Sequence, residues 1–135
     1  ETDSIVLPIC AKLEEELAAL SELDAKEYLH SLNLKESALE NLIRIAFQEL
    51  GLITFLTTGV EETRAWTIRK GTAVAQAAGK IHSDLEKGFI RAEVLSFEDF
   101  VTYKSKTLAK EQGKVRLEGK EYIVNDGDII VVYHN

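Results

Sequence analysis

The stretch HSDLEKGFIRAEV, residues 82–94, gathers a histidine, three acids, a lysine and an arginine within thirteen positions. Those are the residue types of acid–base or nucleophilic catalysis. Such chemistry would require His82 to be oriented by a carboxylate and to face a nucleophile. Asp84 and Glu86 are not spaced for that task. His82 and Glu86, four apart, make the ordinary stabilising pair of a helix surface. The stretch therefore reads first as the last polar turn of a helix ahead of Gly88, with Lys87 favourable at the negative helix end.

No other catalytic pattern is present. Each Gly-Lys pair (Gly79-Lys80, Gly113-Lys114, Gly119-Lys120) lacks both the glycine five places earlier and the following hydroxyl of a phosphate-binding loop. A dinucleotide fingerprint and a nucleophile elbow are also absent. His30, His82 and His134 belong to different elements, so no metal-ligand spacing is expected. The single cysteine, Cys10, allows no internal disulfide and suits a reducing, cytoplasmic setting; its plain role is that of a small side chain at a strand-to-helix junction.

What remains is binding. Arg64, Lys80, Lys87, Arg91, Lys104, Lys106 and Lys110 are candidate contacts, with Arg69, Lys70, Lys114 and Arg116 nearby in sequence. Interspersed acids make a solvated surface the plain alternative and argue against sequence-specific DNA binding. A few phosphate contacts to structured RNA remain open. Trp66, on an alternating segment, is expected in or beside the core rather than stacked on a base.

These residues must be positioned by two unlike halves. Residues 1–50 carry eleven acids against four bases, whereas residues 51–135 carry twelve of each. In the first half SIVLPI reads as a short strand, followed by a helix with Leu13, Leu17 and Leu20 on one face. Ser21 with Asp24, and Ser37 with Glu40, are helix-start signals. Leu39, Leu42, Ile43, Ala46, Phe47 and Leu50 keep helical spacing up to Gly51, a natural stop.

Beyond Gly51 the pattern becomes strand-like in LITFLTT and TRAWTIRKG. TAVAQAAGKIHSDLEKG reads as one helix with Val74, Ala77, Ala78 and Ile81 on a narrow inner face. FIRAEVLS alternates, which predicts Ile90, Ala92 and Val94 inside and Arg91 and Glu93 outside. FEDFVTYKSKTLAKEQG reads as a helix opened by Ser96 and Asp99. KVRLEG, KEYIV and IIVVYHN, separated by glycine turns, read as closing strands. A small sheet with one principal helix across it is an α+β roll of the β-grasp type.

The chain is 135 residues long, with 45% hydrophobic and 29% charged residues, the make-up of a soluble globular protein. No apolar run is long enough for a membrane span. ETDSIVLPIC lacks the basic region of a secretory signal, and with no methionine anywhere the chain is expected to be a fragment.

LGLITFLTTGVEETRAWTIRKGTAVAQAAGKIHSDLEKGFIRAEVLSFEDF, followed by YKSKTLAKEQGKVRLEGKEYIVNDGDII, closely resembles the C-terminus of the YchF, or Obg-like, ATPases. RAWTI, AAGKIHSDLEKGFIRAEV and GKVRLEGKEYIVNDGD occur together in the family's order and spacing. The resemblance implies a ubiquitin-like TGS domain over residues 52–135. Residues 1–51 would be the helical C-terminal end of a P-loop nucleotide-binding domain of the Obg type. Cys10, Ala11 and Lys12 would then occupy part of a base-recognition loop, where short side chains and free helix amides approach a purine.

The parent protein would use ATP in preference to GTP, with Mg2+. The phosphate loop and magnesium ligands are missing from this chain, so it should not hydrolyse nucleotide by itself. The family's association with the ribosome implies a docking role on ribosomal RNA or a ribosomal protein. The alternative is a protein-binding or lid module that supports the upstream ATPase site without touching RNA. No membrane partner is implied.

Overall fold

A computed structural model of the chain describes residues 5–59 and 62–135. The chain divides between Glu49 and Leu50 into two compact units.

The first unit holds three helices, α1 (Ala11–Ala18), α2 (Glu22–Ser31) and α3 (Ala38–Glu49). Their starts follow local chemistry. Ser21 Oγ accepts the Asp24 amide at the head of α2. At α3 the box closes reciprocally: the Glu40 amide donates to Ser37 Oγ at 3.1 Å, and the Ser37 amide to Glu40 Oε2 at 2.8 Å. Each bond satisfies an amide that has no partner within its helix. Leu17 and Leu29 are the buried residues of α1 and α2, and Tyr28 Oη donates to Glu16 across them. The Ala38 amide donates to Glu14 Oε1 and ties α3 to α1.

The strand expected in SIVLPI does not form over residues 5–10, which carry no regular structure; Ser4 lies outside the described residues. A strand needs a neighbour for its backbone groups, and the described part of this unit contains none. Helix α3 likewise shows its apolar stripe without burying it: Leu39, Leu42 and Ile43 are exposed.

The second unit contains β1 (Leu52–Thr58), β2 (Thr63–Arg69), α4 (Val74–Ile81), α5 (Ser83–Lys87), β3 (Phe89–Ser96), α6 (Phe97–Tyr103), α7 (Lys106–Glu111), β4 (Arg116–Glu118) and β5 (Asp128–His134). Five strands make a mixed α+β sheet in the order β2-β1-β5-β3-β4. The β1–β5 pair is parallel and the other pairs are antiparallel. Gly51, at φ +61°, separates α3 from β1 in the left-handed conformation expected of it.

Helix α4 covers one face of the sheet. Val74, Ala77 and Ala78 pack onto Ile53, Phe55, Ile68, Phe89, Ala92, Val94, Val124 and Ile130. Small alanines let the helix axis approach closely. Trp66 lies half-buried at the border of this core, its Nε1 donating to Thr57 Oγ1 at 2.9 Å. The other face has a smaller core of Leu95, Ala109 and Ile129, with Leu56, Phe100, Tyr103 and Val115 against it.

Several readings of the periodicity are corrected. The helix expected to run from Thr72 to Lys87 breaks at His82, whose φ of −161° and ψ of 142° are extended. FEDFVTYKSKTLAKEQG breaks too: Lys104 turns left-handed at φ 54°, and Ser105 Oγ caps α7. KEYIV is no strand, contributing only an isolated bridge between Ile123 and Ala73. In β3 an irregularity between Phe89 and Arg91 shifts the register, so Phe89 and not Ile90 joins the core. One inserted residue exchanges the faces before and after it.

Glu93, expected outside, is buried by α7. Lys106 Nζ lies 2.8 Å from Glu93 Oε2 and Lys110 Nζ 2.9 Å from Oε1, so each carboxylate oxygen has its own ammonium. Hydrogen bonds from Lys106 and then Lys110 outweigh the burial penalty and lower the Glu93 pKa to about 2.

The segment between β4 and β5 is held by polar contacts. Asp128, buried, accepts from Tyr122 Oη and from the Asn125 amide, each at 2.8 Å. Arg116 and Asn125 donate to the same phenol oxygen. Burial first, and then the bond to Asp128, raises the Tyr122 pKa. On the β1 side, the Thr54 amide donates to Asp126 Oδ1 and the Gly127 amide to the Thr54 carbonyl.

Two stability tests arise from these contacts. Gly127 sits at φ +79°, and an added Cβ would meet Phe97 Cβ at 3.3 Å. Gly127→Ala should therefore cost about 1 to 2 kcal/mol in urea unfolding. Glu93 has a folded pKa below its ordinary value, so its contribution is present above about pH 4.5 and lost as pH falls toward about 2. Glu93→Gln should lower stability at pH 7 by about 2 kcal/mol, discounted for the solvent that reaches both lysines, with the gap to wild type closing as acid is added. A gap independent of pH would refute the ion-pair account.

Candidate functional site

The polar stretch after α4 is built as a helix junction. His82 Nδ1 accepts the Asp84 amide at 3.2 Å and lies 3.5 Å from Asp84 Oδ2. The ring caps α5, and the expected His82–Glu86 pair cannot form because His82 stands before the helix. Glu86 instead leans on α4: a Cβ at Gly79 would collide with its carboxylate, which accounts for a glycine inside that helix. No serine, cysteine or threonine hydrogen-bonds the imidazole among the described contacts. The described contacts of the imidazole are those of a helix cap.

Cys10 is exposed and precedes α1, with its side chain making no capping bond. The first amides of α1 thus have no side-chain acceptor at Cys10. Ala11 and Lys12 are exposed in the first turn, with Lys12 Nζ 3.9 Å from Glu16. Among the described residues no group of three or more histidine, cysteine or acidic side chains is placed to hold a metal.

The seven basic candidates fall into separate groups. Strand alternation puts Arg91, Glu93 and Leu95 on one face, and Leu95 packs under Ala109 of α7. Lys106 and Lys110 reach that same face through Glu93. Arg91 stands opposite Tyr133 in the β3–β5 register, its guanidinium 5.2 Å from the ring centre. The result is one sheet face that carries Arg91 over the Tyr133 ring and, two residues along β3, Glu93 between the ammonium groups of Lys106 and Lys110. The Lys110 side chain keeps 64% of its surface in solvent. Its pKa is raised, first by the hydrogen bond to Glu93, so it remains cationic.

The others lie apart from those three. Arg64 shares the α4 face with Trp66 and Ile68, and its guanidinium sits 4.3 Å above the Trp66 ring. Lys80 and Lys87 are in the last turns of α4 and α5, and Lys104 is the left-handed cap of α6. Tyr133 was not legible as a site residue, since its role depends on which β3 residue it opposes, and that follows from the irregularity at Phe89–Arg91. Chemically, the face offers charge-assisted hydrogen bonds and one stacking surface. No helix among the described residues is long and apolar enough to cross a membrane.

Residues 52–135 match the family YchF-GTPase_C, described as "Protein of unknown function (DUF933)". The chain is 52% identical over 127 residues to the "Ribosome-binding ATPase YchF" of Escherichia coli O157:H7, covering 94% of this chain and 35% of that protein. The protein of the same name from Bacillus subtilis (strain 168) is 49% identical over 125 residues, covering 93% of this chain and 34% of its own length. The solved structure of the Schizosaccharomyces pombe YchF GTPase superposes with a TM-score of 0.85 at 38% identity, over 97% of this chain and 34% of that one. The chain thus spans about a third of the length of these relatives. With the match running through every strand of the five-stranded sheet, the chain belongs to the YchF-GTPase_C family.

Proposed function

We propose that residues 52–135 are a β-grasp domain of the TGS type that docks a nucleotide-hydrolysing parent protein on ribosomal RNA. The strand order β2-β1-β5-β3-β4, with a parallel central pair and α4 across one face, supports the ubiquitin-like assignment. Residues 1–51 would be the C-terminal end of the parent's nucleotide-binding domain. Relatives named ribosome-binding ATPases support a cytoplasmic, ribosome-facing setting.

Cys10, Ala11 and Lys12 fit only the border of a nucleotide site: short side chains and free helix amides that suit a base edge. ATP or GTP with Mg2+ would supply the energy of hydrolysis in the parent. The residues for phosphates and metal are not in this sequence, so the chain's own part is confined to holding the base.

The observation that carries the docking reading is the sheet face shared by Arg91, stacked on Tyr133, and by Lys106 and Lys110, held on Glu93. Cations distant in sequence converge on one sheet face, one of them over an aromatic ring. Phosphate contacts of this kind give affinity that falls steeply with salt. Arg64, Lys80, Lys87 and Lys104 lie apart from these three and would make separate contacts.

Co-sedimentation of the 135-residue chain with ribosomes tests this. Arg91→Glu combined with Lys110→Gln, the glutamine still able to donate to Glu93, should weaken binding about tenfold and flatten the salt dependence. Unchanged binding by a variant with wild-type circular dichroism would remove this face from the interface. Binding that survives ribonuclease and barely responds to salt would favour the protein-binding or lid reading.

A further inference from the structure

The sheet has a second cationic region, at its free edge. From Thr63 to Ile81 the sequence contains Arg64, Arg69, Lys70 and Lys80 and no acid, within a chain of net charge −7. This run builds β2, one of the sheet's two edge strands, and α4 behind it. Between them lies a groove of about 380 Å3 lined by Thr67, Ile68, Arg69, Thr72, Gln76 and Lys80. Ile68 is buried, whereas Thr67, Arg69, Gln76 and Lys80 are exposed. Among the described residues neither Arg69 nor Lys80 has a carboxylate within 4.0 Å.

The backbone adds donors of its own. In an antiparallel pair, residues that exchange hydrogen bonds alternate with residues whose N–H and C=O point outward. The Lys70 amide bonds the Gly51 carbonyl at 2.8 Å, and the register pairs Arg69 with Leu52 and Thr67 with Thr54. Arg69 and Thr67 are therefore the outward positions. Two contacts agree: the Arg69 carbonyl accepts from Thr72 on the outer side, and Thr54 turns its backbone toward Asp126 and Gly127, away from β2. The amides of Thr67 and Arg69 thus face out of the edge, about 7 Å apart along the strand.

We propose that this edge is a phosphate-binding contact for structured RNA, in which the outward amides of Thr67 and Arg69 and the side chains of Arg69, Lys80 and Gln76 hold successive phosphates of one strand. The inference rests on the RNA-docking reading above and locates a second contact for it, away from the Arg91–Tyr133 pair. The outward amides and the Arg69 and Lys80 side chains supply the donors here, the Arg69 carbonyl being taken up by Thr72. Backbone amides beside arginine and lysine suit phosphate oxygens, and they carry no sequence preference. An exposed groove along a strand fits a polymer backbone and gives no enclosure for a small anion. Gln76 and Lys80, four apart on α4, share the helix face that lines this groove.

The test is an NMR titration of the 15N-labelled 135-residue chain with a short A-form RNA duplex at low salt, paired with ribosome co-sedimentation. The largest amide shifts should fall on Thr67, Arg69, Thr72 and Gln76. Arg69→Ala with Lys80→Ala should abolish them and lower the slope of log affinity against log salt by about two, one for each phosphate contact removed. Shifts confined elsewhere, or a slope left intact in the variant, would overturn the assignment. So would equal shifts from inorganic phosphate, which would mark a small-anion site, or shifts produced only by ribosomal proteins. Ribosome binding with an unperturbed edge would sink this contact alone. Edge shifts without ribosome binding would sink the docking role alone.

Discussion

The second unit depends on β5 lying between β1 and β3. Strand β1 opens the unit and β3 lies near its middle, and β5, at the end, must pair in parallel with the first and antiparallel with the second. A parallel pairing cannot be reached by a tight turn; it needs a crossover, here supplied by everything from β2 to the 119–127 segment. The sheet stays unclosed until the last residues arrive. That accounts for the density of polar contacts where β5 begins. Asp126 and Gly127 bond Thr54 of β1, while Asp128 takes the Tyr122 hydroxyl and the Asn125 amide. These bonds set the starting point of β5 against its neighbours, and a one-residue slip would turn Ile130 out of the core.

The two faces of the sheet are stabilised differently. Under α4 the contacts are apolar and close, with alanines admitting the helix to the sheet. Under α7 the apolar core is small, and a carboxylate shared by two lysines joins helix to strand. A buried ion pair is weak evidence for net stability, because desolvation opposes it. Its effect here is geometric as well. It holds two ammonium groups on the face that carries Arg91 while leaving Lys110 largely in solvent, so the structural contact uses the same atoms as the docking surface proposed above.

Local chemistry was legible wherever a few adjacent residues suffice. The caps at Ser21, Ser37 and Ser96 formed as their spacing implied, because a hydroxyl and an amide three residues on meet whatever lies beyond them. Gly51 likewise took the left-handed conformation that stops α3. Breaks inside apparently continuous helices were less legible. Nothing in KIHSD forbids a helix. The break comes with His82 in an extended conformation, its imidazole accepting the Asp84 amide at the start of α5.

What the sequence determined alone was the caps at Ser21, Ser37 and Ser96, the turn at Gly51, the strands on either side of α4 and, through the spacing of RAWTI and GKVRLEGKEYIVNDGD, the family. Whether Glu93 is inside, whether Ile90 is outside, and which ring lies beneath Arg91 were decided only in the tertiary structure. Each turns on register and on what covers the second face of the sheet. A single irregular residue between Phe89 and Arg91, and a helix fifteen residues downstream, reverse an alternation that is otherwise regular. Periodicity reports which side chains share a face; only the packing of distant segments reports which face is covered.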